Sequence, residues 1–147
     1  MTAAANGLRV LVVEDEFLIC DMIADALTEQ GFEVHAVANA KAALRHLASG
    51  LPCDALFTDI NLPGGVDGID LADLARELRP GLPVVYTSGA AKKTEVEQVP
   101  NSSFIAKPYD PETVCKVVRA FAVLYAQGKQ AQPSAQLSAR NSSSQWM

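Results

Sequence analysis

"VLVVEDEFL", residues 10–18, carries four apolar residues straight into Glu14, Asp15 and Glu16. Val-Leu-Val-Val suits a strand buried on both faces, as in a parallel sheet. Like charges crowded at the end of such a strand repel one another, so the rim they occupy must hold something that compensates them. Short β-branched runs of the same kind recur: "RVLVV" (9–13) is followed by "EVHAVA" (33–38), "DALFT" (54–58), "PVVYT" (83–87) and "SFIA" (103–106).

Between these runs the apolar residues follow helical spacing. Ile19, Met22, Ile23, Ala26 and Leu27 share one face of a first helix, which Gly31 stops. Ala40, Ala43, Leu44 and Leu47 mark a second, and Leu71, Leu74, Ala75 and Leu78 a third that ends at "RPGLP". "AAKKTEVEQV", closed by Pro100, predicts a short and weakly amphipathic helix, and Val114, Val118, Phe121 and Tyr125 mark the last one. Strands alternating with helices predict an α/β fold, a doubly wound five-stranded parallel sheet with five helices, because each crossover helix packs back on the sheet with right-handed connection.

The 147 residues, 49% hydrophobic and 20% charged, fit one domain. Residues 1–7 read as an N-terminal extension and 8–126 as the domain; 127–147, rich in Gln, Ser and Ala, read as a disordered polar tail. A net charge of -5 and a pI near 4.9 exclude general binding to nucleic acid or an anionic membrane, which needs a basic face. "MTAAANGLR" has no secretory pattern and no apolar run approaches the ~20 residues of a membrane span, so a cytoplasmic location is expected. Cys20, Cys53 and Cys115 sit among apolar neighbours at wide spacing and read as reduced thiols.

In an open parallel sheet ligands bind beyond the carboxyl ends of the strands. Those ends carry Glu14 and Asp15, Asp59, Thr87 with Ser88, and Lys107. Three carboxylates about 5 Å apart repel by roughly 3 kcal/mol per pair at an effective dielectric near 20. A hard divalent cation with oxygen ligands answers this, and Mg²⁺ suits a site that keeps waters and accepts a phosphoryl oxygen. A carboxylate beside a metal, a lysine and a hydroxyl is equipped to attack phosphorus and form an acyl phosphate.

"VVEDE", "TDINLPGG", "YTSGA" and "FIAKPYD", in that order, resemble the receiver domain of two-component response regulators over about residues 8–126. The resemblance implies the flavodoxin-like strand order 2-1-3-4-5. It makes Asp59 the phosphoacceptor, served by a histidine kinase or histidine phosphotransfer protein. Asp15 and Asp59 would ligate Mg²⁺ directly, Glu14 would act through water, and the backbone carbonyl of Asn61 would complete the protein ligands. Thr87 matches the switch hydroxyl, Phe104 the switch aromatic, and Lys107 the family's lysine, whose bond to Pro108 is expected to be cis. The loop "PGGVDG" (63–68) is one residue longer than in the chemotaxis regulator of the family, and the span from Thr87 to Phe104 about two shorter; Gly89 stands where many relatives carry a larger polar side chain.

Blander readings stand beside these. Asp15 alone would be a helix cap, Asp59 a turn residue, Phe104 a core aromatic, and His35 and His46 surface or half-buried histidines. The lysines at 92 and 93 read as a solvated patch. The expected function is a stand-alone response regulator that catalyses only its own phosphorylation and dephosphorylation and switches a face for a downstream protein partner, with homodimerisation left open. The alternatives are a receiver-fold interaction module acting without phosphorylation, and a small phosphatase. Asn61, where haloacid-type phosphatases place a second Asp, speaks against the latter.

Overall fold

Five strands form one fully parallel sheet in the order β2-β1-β3-β4-β5, where β1 is Arg9–Val13, β2 Glu33–Val37, β3 Ala55–Asp59, β4 Val84–Ser88 and β5 Ser102–Ala106. The computed structural model describes residues 7–89 and 99–143, with side chains to residue 128. The three inner strands are the ones whose sequences are almost continuously apolar, and β3 and β4 are buried at every position. The edge strands β2 and β5 are partly exposed.

Alternation along the strands divides the core in two. Leu11, Val13, Leu56, Val84 and Tyr86 face α2 (Ala40–Ala48) and α3 (Gly68–Leu78), meeting Ala43, Leu47, Leu71 and Ala75. Val10, Val12, Ala55, Phe57 and Val85 face α1 (Phe17–Glu29) and the C-terminal helix α4 (Pro111–Ser143), meeting Ile23, Leu27, Val114 and Val118. Each fully buried Leu, Val or Phe contributes roughly 1.5–3 kcal/mol relative to exposure.

Local chemistry fixes where the helices start and stop. Asn39 accepts a hydrogen bond from the Ala42 amide at 2.8 Å, and Asp67 one from the Asp70 amide at 2.8 Å, each N-cap being worth about 1 kcal/mol. Gly31, at φ +99°, ends α1 with its amide on the Thr28 carbonyl at 3.0 Å. Arg76 of α3 ties the start of β5 to the layer above it. Its guanidinium donates to the carbonyls of Leu82 at 3.0 Å and Asn101 at 2.9 Å and to Ser102 Oγ at 3.1 Å.

The structure differs from the sequence reading at the tail and along two helix faces, and leaves one expected helix outside the described residues. Among the described residues four helices cover the sheet rather than five; the short helix expected over "AAKKTEVEQV" lies outside the described residues. The backbone of residues 127–143 continues α4, where composition suggests an unstructured tail. Its Ala, Gln, Lys, Leu and Arg residues are good helix formers, and the helix carries on even across Pro133. Met22, Leu74 and Leu78, expected on core faces, are 42%, 38% and 45% exposed. They lie at the margins of stripes whose centres, Ile23 and Leu71, take up the width of the sheet beneath. Cys53 and Cys115 are buried and Cys20 half-buried, all three as free thiols.

Candidate functional site

β1 runs its apolar residues into a buried acid. Glu14 is only 2% exposed although it follows Val13 directly, because its amide still pairs with the Val37 carbonyl at 3.0 Å and holds it at the sheet's rim. Its Oε2 accepts from the Glu16 amide at 3.1 Å. Asp15 is exposed. The N-cap of α1 is Glu16 and no side chain caps that helix, so Asp15 is not used up as a cap.

Asp59, the last residue of β3, is 5% exposed, and suitable oxygens of Glu14, Asp15 and Asp59 all lie within 4.8 Å of one another. Lys107, just past β5, puts Nζ 2.8 Å from Asp59 Oδ2 and 3.0 Å from Glu14 Oε1. The Asn61 amide donates to Asp59 Oδ1 at 3.0 Å, so both oxygens of that carboxylate are held. The Asn61 side chain reaches across to Ser88 Oγ at 3.3 Å, closing one side of the mouth.

Thr87 stands opposite Asp59 in the β3–β4 ladder and is fully buried. Its hydroxyl has no hydrogen-bond partner among the described residues, a costly state for a buried donor. Phe104 is half-buried and packs on the α2–α3 side of the sheet, paired in register with Tyr86. The Lys107–Pro108 peptide bond is cis.

The electrostatics follow from burial. Burial pushes the Glu14 carboxyl above its usual range, and the nearby Asp59 pushes the same way; the Glu16 amide and Lys107 only partly oppose them. Burial pulls on Lys107 in the direction of deprotonation, but hydrogen bonds to Asp59 and Glu14 outweigh it and raise its pKa. Three carboxylates and one ammonium leave an excess of two negative charges in a small volume, and at 4.8 Å each acid pair repels by about 3.5 kcal/mol at an effective dielectric near 20. An all-oxygen donor set with this charge suits a hard divalent cation.

Sequence reasoning gave Tyr109 no role. Its ring lies edge-on to Phe57, centroids 5.8 Å apart, and its hydroxyl is buried without a partner among the described residues. Burial, with Glu14 nearby, pushes that hydroxyl's pKa up to about 12. Nothing in the sequence marks it, since a Tyr after Lys-Pro reads equally well as a loop residue. His35 and His46, read as surface or half-buried histidines, stack on each other with centroids 4.0 Å apart at the other end of the sheet.

A family model described as the response regulator receiver domain matches residues 10–119. Among curated relatives, the alkaline phosphatase synthesis transcriptional regulatory protein SphR of Synechococcus elongatus is 32% identical over 131 residues, covering 80% of this chain and 50% of SphR. The regulatory protein AtoC of Escherichia coli is 32% identical over 114 residues, covering 76% of this chain and 24% of AtoC. The chain thus spans half or less of the length of these relatives. Among solved structures, a response regulator receiver protein from Sinorhizobium medicae superposes with a TM-score of 0.75 at 31% identity, covering 81% of this chain and 97% of that one. No helix among the described residues is long and apolar enough to cross a membrane. With the sheet order, the acidic rim and these matches in agreement, the chain belongs to the response regulator receiver domain family.

Proposed function

We propose that this receiver accepts a phosphoryl group on Asp59 from a phosphohistidine, carried by a histidine kinase or a histidine phosphotransfer protein, and passes the event to a protein partner. The observation that carries the reading is the acidic cluster at the rim: Asp59 held by Lys107 at 2.8 Å, Glu14 and Asp15 beside it, and on the next strand the Thr87 hydroxyl, which has no partner among the described residues.

In the step itself an Asp59 carboxylate oxygen attacks phosphorus in line. The P–N bond to the donor imidazole breaks with its electron pair on nitrogen, and an acyl phosphate forms. Water later attacks the same phosphorus, returning the carboxylate and inorganic phosphate. Glu14, Asp15, Asp59 and the Asn61 carbonyl are the groups that would hold Mg²⁺, which when bound supplies positive charge for the phosphoryl oxygens. Lys107 adds a second positive charge, already positioned on the carboxylate that reacts.

Thr87 supplies the link to output. A buried hydroxyl with no partner among the described residues gains one when a phosphoryl oxygen arrives, and this biases the equilibrium toward the arrangement in which Thr87 has moved inward. Phe104, half-buried on the neighbouring edge strand, then has room to turn further in, changing the face that β5 presents to the downstream partner.

The test is to incubate the protein with Mg²⁺ and acetyl phosphate or phosphoramidate and measure intact mass. One added phosphoryl group is expected on the wild type and none on Asp59→Asn. No mass gain, or a gain that survives the substitution, overturns the reading.

A further inference from the structure

The tightest backbone approach at the rim involves a residue that the proposed chemistry does not use. Gly68 opens α3 after the cap residue Asp67, and its Cα lies against the peptide that follows the phosphoacceptor carboxylate. A Cβ built there would stand 2.8 Å from Ile60 Cα and 3.0 Å from the Asp59 carbonyl carbon, and closer still to the Asp59 carbonyl oxygen. Backbone atoms cannot yield to such a contact as a flexible side chain would. Gly64 and Gly65, a few residues earlier, have nothing within 4 Å of the same position.

Hydrogen bonds hold the same peptide at both its carbonyl and its amide, and a third holds the next peptide along. The Gly68 amide donates to the Ile60 carbonyl at 2.7 Å, the Ile60 amide to the Thr87 carbonyl at 2.9 Å, and the Thr58 hydroxyl to the Asp59 carbonyl at 2.9 Å. The Asp59–Ile60 backbone is therefore held between the start of α3 on one side and the strand carrying Thr87 on the other. We infer that Gly68 is a positioning residue for the phosphoacceptor: its missing side chain lets α3 close on the Asp59 backbone and thereby sets the distance from the Asp59 carboxylate to Lys107. This rests on the phosphoryl-accepting role proposed for Asp59.

Making room for a methyl group requires a shift of roughly 1 Å at the Asp59 backbone, and a misplacement of that size in a reacting group lowers a rate by on the order of 100-fold. The experiment compares the wild type, Gly68→Ala and Ala72→Gly, the last a control buried in the same helix one turn beyond Gly68. Each is assayed for thermal stability and for phosphorylation by acetyl phosphate over a range of donor concentrations. The expected result is a folded Gly68→Ala whose maximal phosphorylation rate falls at least tenfold with little change in the donor concentration needed for half-saturation. Ala72→Gly should lose stability while keeping the wild-type rate. If Gly68→Ala does not fold, Asp67→Ala removes the cap of the same turn without adding an atom, and its maximal rate should fall at least threefold. A folded Gly68→Ala, or in its place Asp67→Ala, reacting within twofold of the wild type overturns the inference, as does an equal slowing in Ala72→Gly. A wild type that accepts no phosphoryl group overturns the role of Asp59 and this inference together.

Discussion

Replacing Lys107 with methionine takes away the cation that touches both buried acids while keeping most of the side chain's length. With Nζ 2.8 Å from Asp59 and 3.0 Å from Glu14, each attraction amounts to about 6 kcal/mol at an effective dielectric near 20. Withdrawing the ammonium from water offsets several kcal/mol of that, and breaking a buried pair costs about 3–5 kcal/mol in net stability. The Lys107 side chain keeps 20% of its exposure, which argues for the lower end, about 3 kcal/mol. In the variant the acids face one another within 4.8 Å with only the Glu16 and Asn61 amides and solvent to compensate them. A divalent cation should then recover more stability in Lys107→Met than in the wild type, because it no longer shares the carboxylates with an ammonium. Urea denaturation followed by circular dichroism, in EDTA and in saturating Mg²⁺, measures both effects. A variant within about 0.5 kcal/mol of the wild type in EDTA would refute the electrostatic account of the rim. So would Mg²⁺ that stabilises neither protein.

Other substitutions separate structural from chemical roles. Tyr109→Phe removes a buried hydroxyl that has no partner among the described residues, so stability should stay level or rise by up to about 1 kcal/mol in urea, with phosphorylation by acetyl phosphate unchanged. Burial, the stacked His35 and the nearby Arg79 lower the pKa of His46, so the unfolded chain takes up protons that the folded one resists. Stability should therefore decline as pH falls from the ordinary histidine range, about 6.5, through the lowered value, and His46→Gln should flatten that decline in urea midpoints measured across the range. Arg76→Met frees the carbonyls of Leu82 and Asn101 and the Ser102 hydroxyl, for a loss of about 1–2 kcal/mol. Amide exchange should quicken first at Val84, whose N–H donates to Asn101, and along the start of β5.

What the sequence made legible and what it did not divide along a physical line. The sheet could be read because burial on both faces demands unbroken apolar runs, and Leu11, Phe57 and Val85 lie in such runs. The meeting of Glu14, Asp15, Asp59 and Lys107 could be expected because parallel strands send their carboxyl ends to one rim, so residues from three strand ends far apart in the chain needed only correct strand ends to converge. Charge is a property of residue identity, and identity is what a sequence states. Width and closeness are not. Periodicity puts Met22 and Leu74 on the same faces as Ile23 and Leu71, but how far the sheet extends beneath each helix decides which of them water still reaches. Gly68 read as the end of a loop whose length alone drew notice, although a glycine at the first position of a helix, where it lowers helix propensity, signals a close backbone approach. The approach itself, against the carbonyl of a residue nine positions earlier, depends on how the β3–α3 connection folds back over the strand end. The rim's charge was thus open to residue-by-residue reading, whereas the distances between its charged groups depend on how the backbone packs, which only three dimensions reveal.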